Sequence, residues 1–233
     1  MRLLPFLLAL SSSVPLAHAA DAPVDGITFA EEPGAIYVPL EEAARHLRWS
    51  VRHDRKGGFI HLQNHALRTP NLRHLTDGTP LVRLADLEPL GAAVTKDAEA
   101  RLANVGNSRR YFTVRISTKR VEINLADQEL RAWQGKRLVL ASRISSGRNG
   151  STPTGKFRAG PYKEAVHYST RFRNARMPWS VQITGNIFVH GFTSVPRAPA
   201  SHGCIRLPLD EGNPAKLFFD WVDRGTPVHI RKR

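Results

Sequence analysis

The order of apolar and polar positions predicts one helix near the start of the chain and short strands over most of the rest. Leu40, Ala43, Ala44 and Leu47 recur at the spacing of one helical face, so Leu40 to Leu47 predicts a helix. Ala35 to Pro39 and Trp49 to His53 predict flanking strands, and Asp54-Arg55-Lys56-Gly57-Gly58 predicts a hairpin turn into Phe59 to Gln63. Part of the pattern recurs. Leu84, Leu90, Val94 and Asp97 follow Leu40, Leu47, Val51 and Asp54 by 43 or 44 positions, which suggests a duplicated strand-helix-strand unit.

Beyond Asn104 to Arg110, where Gly106, Asn107 and Ser108 signal a turn or linker, the pattern becomes predominantly β. Tyr111 to Ile116, Val121 to Asn124, Glu129 to Gln134, Arg137 to Arg143, Val181 to Thr184, Ile187 to Val189 and Pro227 to Arg231 predict strands. Asp210 to Trp221 predicts a single helix ended near Gly225. So many short strands suggest a sandwich or barrel. Gly160 to Arg176 has no clear strand pattern and contains Pro161; it predicts a surface loop, with a lid over a site as the other reading.

Composition excludes wholesale disorder: of 233 residues, 41% are hydrophobic and 23% charged, enough to bury a core in one or two domains. The 34 Lys and Arg against 20 Asp and Glu leave a formal charge of +14, which points to a polyanionic partner: nucleic acid, an acidic envelope polymer or a membrane surface. Residues 21–110 hold 12 basic and 12 acidic side chains, whereas 111–233 hold 21 and 8. That asymmetry predicts two modules, an α+β unit at 22–108 and a mainly β unit at 109–233.

Arg2, the apolar run Leu3 to Leu10, Ser11 to Ser13 and Ala17-His18-Ala19 have the layout of an export signal over residues 1–19. A membrane span needs about 20 apolar residues, so no stable span is expected. The chain is therefore expected in the periplasm or cell envelope. Cys204 is the only cysteine, which excludes an intramolecular disulfide framework. His46, His53, His61, His65 and His74 lack a recognised ligand spacing, so no metal is expected on them.

The chemistry-bearing stretch is His190-Gly191 followed by Ser201-His202-Gly203-Cys204-Ile205-Arg206. A thiol is a nucleophile as thiolate, and an imidazole can take its proton; both His190 and His202 are candidates. His190 ends an apolar strand that can present it rigidly, which favours it as the base. Gly203 permits a close substrate approach, where the amides of Gly203 and Cys204 could form an oxyanion hole. Arg206 could bind a carboxylate through its fork of donors.

The His-Gly pair with SHGCIR resembles the L,D-transpeptidase catalytic domain, also called YkuD-like. Ser146-Gly147, Thr152-Pro153-Thr154-Gly155-Lys156-Phe157 and Met177-Pro178-Trp179 are similar to further family motifs, over roughly Tyr111 to Arg231. The resemblance implies a β-sandwich-like domain in which Cys204 is acylated and His190 is the general base, with the Gly191 carbonyl holding the other imidazole nitrogen. Ser201, His202 and Gly203 would shape the loop and oxyanion region, and Arg206, Gly191 and Trp179 would contact substrate. It further implies a peptidoglycan tetrapeptide stem as donor, with no cofactor and no metal. The acceptor stays open: a stem amine giving a cross-link, a lysine of a wall-anchored protein, or water in a peptidase or amidase. A non-catalytic wall-binding protein is the contrasting reading. The export signal and lack of a nucleic-acid motif disfavour nucleic acid. Arg143, Arg148, Lys156, Arg158, Arg171, Arg173 and Arg176 are candidates for a basic surface toward anionic wall material. In the first module, VPLEEAARHLRWSVRHD resembles the small domain at the N-terminus of copper amine oxidases.

Overall fold

The computed structural model describes residues 22–99 and 101–232, so the signal segment expected at 1–19 lies outside the described residues. The N-terminal strands are β1 (Val24–Asp25), β2 (Tyr37–Pro39), β3 (Val51–Asp54), β4 (Phe59–Leu62), β5 (His65–Arg68), β6 (Arg73–His74), β7 (Pro80–Arg83), β8 (Ala93–Lys96), β9 (Leu102–Gly106) and β10 (Tyr111–Arg115). They form three small sheets, β1-β10-β9-β8, β2-β7-β6 and β3-β4-β5. The helix α1 spans Leu40–Leu47, as the apolar spacing predicts, and buries Leu40, Ala43, Ala44 and Leu47. Glu41 and Glu42 in its first turn and Arg45 and His46 in its last complement the helix dipole, and Arg48 ends it with φ of 54°.

The recurring pattern has a structural counterpart. The order β2, α1, β3, β4 is echoed by β7, a 3-10 turn at Leu84–Leu87, β8 and β9. Glu88 is still helical at φ of −64° and ψ of −48°, but Pro89 after it has no backbone N–H to continue the turn into a full helix. Leu84 and Leu87 are nevertheless buried, as Leu40 and Leu47 are.

Gly106, Asn107 and Ser108 belong to a hairpin rather than a linker. Asn107 and Arg110 exchange backbone bonds across the tip, and β10 pairs antiparallel with β9. Phe112 and Val114 of β10 lie in the N-terminal core with Val38, Leu62 and Val105. The division expected between 108 and 109 thus falls at the hairpin tip, one strand ahead of the end of this core. Charge separates the two halves of the chain, but strand pairing follows the inward apolar positions of β10.

The remainder is two sheets. The strands β11 (Lys119–Asn124), β12 (Glu129–Gln134), β13 (Arg137–Arg143), β14 (Gly155–Arg158) and β19 (Pro227–Arg231) are ordered β13-β12-β11-β19-β14. The strands β15 (Lys163–Ser169), β16 (Ala175–Thr184), β17 (Ile187–Phe192) and β18 (Ile205–Pro208) follow their own numerical order. Val121, Ile123, Leu130, Val228 and Ile230 from the first sheet share one core with Val181, Val189, Ile205 and Leu207 from the second. The mainly β sandwich expected for this half is present.

Two segments differ from expectation. Gly160 to Arg176 is not an irregular loop: β15 and the start of β16 form an antiparallel hairpin, closed by Arg173 and Asn174 at φ of 51° and 55°. Val166, Tyr168 and Phe172 stay exposed on it, so no one-sided burial impressed an alternation on the sequence. The second helix, α2 (Pro214–Trp221), starts later than Asp210 because Asn213 caps it, accepting from the Lys216 amide at 3.0 Å with Pro214 in the first turn. Among the described residues no helix is long and apolar enough to cross a membrane.

The N-terminal part is fastened to α2. Ile27, Phe29, Tyr37 and Leu81 join the core of the two large sheets. Above them Arg73 donates to Glu32 at 2.8 Å and to Asp220 at 3.1 Å, and lies 4.1 Å from the Phe29 ring centroid. Lys216 meets the same Asp220 carboxylate at 2.6 Å. Asp220 is buried between them, so its truncation leaves Arg73 with Glu32 alone and Lys216 without its ion-pair partner. Asp220→Ala is expected to cost about 2–3 kcal/mol, measured by denaturant unfolding. A cost below about 0.5 kcal/mol, the range of ordinary surface changes, would show that the cluster does not hold the joint.

Candidate active site

The parallel pairing of β17 with β18 brings the candidate residues together. His190 is paired with Arg206, and Val189 with Ile205, so Cys204 stands one strand across and two residues back from the imidazole. Alternation sends Val189, Ile205 and Leu207 into the core and turns His190 and Arg206 to the outer face of the sheet. There His190, Cys204 and Arg206 line one pocket of about 390 Å³, together with Phe172, Met177 and Asn186. Ser201 and His202 line it as well.

His190 is only 4% exposed, and its Nδ1 lies 2.9 Å from the Gly191 carbonyl oxygen. A carbonyl only accepts, so Nδ1 carries the proton and Nε2 keeps its lone pair for the pocket. Burial pushes the His190 pKa down to about 4, with the Arg206 and His167 charges acting in the same direction. The Cys204 thiol is pushed up, chiefly by burial, although the Phe188 backbone amide and Arg206 favour its anion. Its Sγ lies 3.5 Å from the Asn186 carbonyl oxygen, an acceptor that suits the protonated thiol. At neutral pH the pair therefore rests as thiol and neutral imidazole, and His190 can take the proton as the sulfur attacks.

The loop that carries Cys204 is braced by the upstream motifs. Thr152 Oγ1 accepts from the Gly147 amide and donates to the Gly203 carbonyl, both at 2.7 Å. Gly147 packs so close to Gly203 that a Cβ there would come within 2.7 Å of the Gly203 α-carbon. Gln128, invisible as a motif, bonds both the amide and the hydroxyl of Ser146 at 2.8 Å. Its signal in the sequence is slight, because a glutamine in a polar turn reads as solvent-facing.

Three expectations are corrected. The Gly203 amide already donates to Ser201 Oγ at 3.0 Å, so of the two proposed oxyanion donors Cys204 is the one not committed to Ser201. Gly191 does not contact the pocket: its α-carbon faces Leu209 and Ala215, where a Cβ would meet Leu209 at 2.4 Å, and its carbonyl serves His190. Trp179 is also absent from the pocket lining; its ring packs 5.5 Å from Phe219, with Lys216 5.2 Å above it. A φ of 55° at Trp179 interrupts the alternation that would have aligned it with Met177.

His202 does not replace His190 as base. Its ring stacks on Phe172 of the β15–β16 hairpin at 4.6 Å, and its Nε2 lies 3.1 Å from an Arg148 guanidinium nitrogen. The hairpin so borders the pocket, and Phe172 is a residue that sequence reading missed. Arg206 is half-buried 4.0 Å from the Phe192 ring centroid and makes no ion pair among the described residues. Among those residues no group of three or more His, Cys, Asp or Glu side chains could hold a metal ion.

Residues 118–230 match the model of the YkuD family, the L,D-transpeptidase catalytic domain. Over that stretch the chain carries an L,D-transpeptidase catalytic domain of the YkuD family. Among curated proteins none matches. Solved structures that the chain is similar to include an L,D-transpeptidase from Stackebrandtia nassauensis, with 22% identity over 49% of this chain and 56% of that one and a TM-score of 0.44. An L,D-transpeptidase from Xylanimonas cellulosilytica has 30% identity over 50% of this chain and 61% of that one, with a TM-score of 0.42. One from Mycobacterium tuberculosis has 14% identity over 90% of this chain and 94% of that one, with a TM-score of 0.44. The chain thus spans 56% and 61% of the first two structures it matches.

The resting pair has a direct readout. An ordinary thiol titrates near pH 8.5, so iodoacetamide labelling of Cys204 in the free protein is expected to rise only above about that pH. A labelling plateau extending below pH 7 would contradict the neutral pair.

Proposed function

We propose that the protein is an exported cysteine L,D-transpeptidase of the periplasm or cell envelope that acts on peptidoglycan tetrapeptide stems. The observation that carries this reading is the pocket that joins the Cys204 thiol, the free Nε2 of His190 and the guanidinium of Arg206 on a family domain whose chemistry is acyl transfer. The family supports peptidoglycan as substrate.

In the first step Cys204 Sγ attacks the carbonyl carbon of the amide that joins the L-centre of the stem's diamino acid to the terminal D-alanine. The thiol proton passes to His190 Nε2, and the Gly191 carbonyl holds the resulting imidazolium through Nδ1–H. The C–N bond then breaks, and His190 returns the proton to the departing D-alanine amine. A thioester between the donor stem and Cys204 is left, with D-alanine as the free product. Arg206 beside the thiol is suited to a donor carboxylate, because its charge meets no acid among the described residues.

In the second step an amine attacks the thioester carbonyl, His190 takes the amine's proton, and the thiol is restored. A side-chain amine of a second stem gives a cross-link; a protein lysine gives a wall attachment. Neither step consumes or requires a metal or organic cofactor.

Incubation with purified tetrapeptide muropeptides is expected to release D-alanine and to raise the intact protein mass by the donor less D-alanine. Cys204→Ala abolishes both, and His190→Asn lowers the acylation rate by about a thousandfold or more. Turnover retained in Cys204→Ala, or no acylation of the unaltered protein by any stem peptide, would contradict the reading.

A further inference from the structure

The mechanism leaves one open groove of the molecule unused. It measures about 600 Å³ and runs over the outer face of β11, β19 and β14, the face turned away from the shared core. The catalytic pocket opens on the outer face of the other sheet, so the two lie on opposite sides of the sandwich.

Strand register explains the groove. Arg158 of β14 is opposite Pro227 of β19, and Arg120 of β11 stands one residue before the Val121–Val228 pair, thus on the other flank of Pro227. Two strand spacings separate these arginine backbones, about 10 Å. Two long cationic side chains so wall a floor made by a short proline ring. Lys156 extends the basic wall from its position opposite His229.

The walls are held in place. Arg158 donates to the Gly225 carbonyl at 2.8 Å, and Arg120 donates to the Gly135 carbonyl at 2.7 Å with its guanidinium 5.0 Å from the Trp133 ring centroid. Each guanidinium keeps further N–H donors for an outside acceptor. Arg158 and Lys156 make no ion pair among the described residues, and the one acid in the groove, Glu122, touches Arg120 only at 3.5 Å. Fixed, mostly uncompensated cations on both flanks of an open channel complement a linear carboxylate-bearing strand.

We propose that this groove is a wall-docking site, separate from the catalytic pocket, which binds the free stem carboxylates of the peptidoglycan sacculus. The proposal rests on the transpeptidase reading for its choice of polymer. Docking on this side holds the enzyme on the wall while the opposite face remains open to donor stems.

Co-sedimentation of the purified protein with sacculi at low and high salt tests the site. The triple variant Arg120→Gln, Lys156→Gln, Arg158→Gln is expected to bind sacculi about tenfold more weakly, with D-alanine release from soluble muropeptides within about twofold of the unaltered protein. Lys156→Glu, at an exposed position without an ion pair, weakens binding in a protein whose melting temperature is unchanged. A matched triple in the N-terminal part, Arg52→Gln, Arg55→Gln, Arg109→Gln, leaves binding intact. Amidation of the sacculus carboxylates abolishes binding of the unaltered protein, whereas stripping phosphodiester-linked polymers from the sacculi with hydrofluoric acid leaves it. The proposal is overturned if the groove variants bind normally, if the matched triple loses as much, or if stripping rather than amidation removes binding. Absence of D-alanine release in the unaltered protein overturns the transpeptidase reading separately, because sacculus binding is read without turnover.

Discussion

The site depends on one buried hydrogen bond, from His190 Nδ1–H to the carbonyl of its own neighbour, Gly191. It replaces the carboxylate that orients the imidazole in a three-residue triad, and it brings no negative charge with it. A carbonyl dipole supports the imidazolium less than a carboxylate would. Burial and the nearby Arg206 cation therefore dominate, and the imidazole stays neutral at rest. The bond in turn depends on Gly191 having no side chain, since Leu209 and Ala215 occupy the space a Cβ would need. Packing beneath β17 and proton chemistry above it meet at that glycine.

The same division between an inner packed face and an outer chemical face runs through both large sheets. Inner residues such as Val189, Ile205, Val121 and Val228 form the core, which leaves outer residues free to carry charge at little packing cost. On one sheet the outer residues are an imidazole, a thiol and an arginine; on the other they are cations around a proline floor. The segment that carries Cys204 is not regular strand. It is held from behind by side-chain bonds from Thr152 to the Gly203 carbonyl and from the Gly203 amide to Ser201, and by an isolated bridge between Gly147 and Ser201. The N-terminal part is joined to this arrangement through α2, by apolar contact and by the Arg73, Glu32, Asp220 and Lys216 charges.

Much of this was legible in the sequence where burial is one-sided. The limits of α1, β12 and β13 follow from their apolar spacing, and His190 with Cys204 and Arg206 stand out because reactive residue types cluster at strand ends. Elements that bury little were hidden: β15 has an exposed Val166 and Tyr168, so its pairing with β16 left no alternation to read. Long-range hydrogen bonds were hidden too. Nothing local in Gln128 announces its bonds to Ser146, and nothing in Trp179 announces the left-handed backbone that turns it from the pocket toward α2. The residues Gly106 to Ser108 read as a turn or a linker because polar turn residues look alike in both roles, and only the pairing of β9 with β10 tells them apart.

The central claim is that a neutral imidazole, protonated on Nδ1, waits beside a protonated thiol. Nitrogen-15 NMR of the labelled His190 ring, followed through a pH titration, reads that state atom by atom. The account predicts a single Nδ1–H tautomer at neutral pH that gains its second proton only near pH 4. A doubly protonated ring at pH 7, or a proton on Nε2 instead of Nδ1, would contradict it.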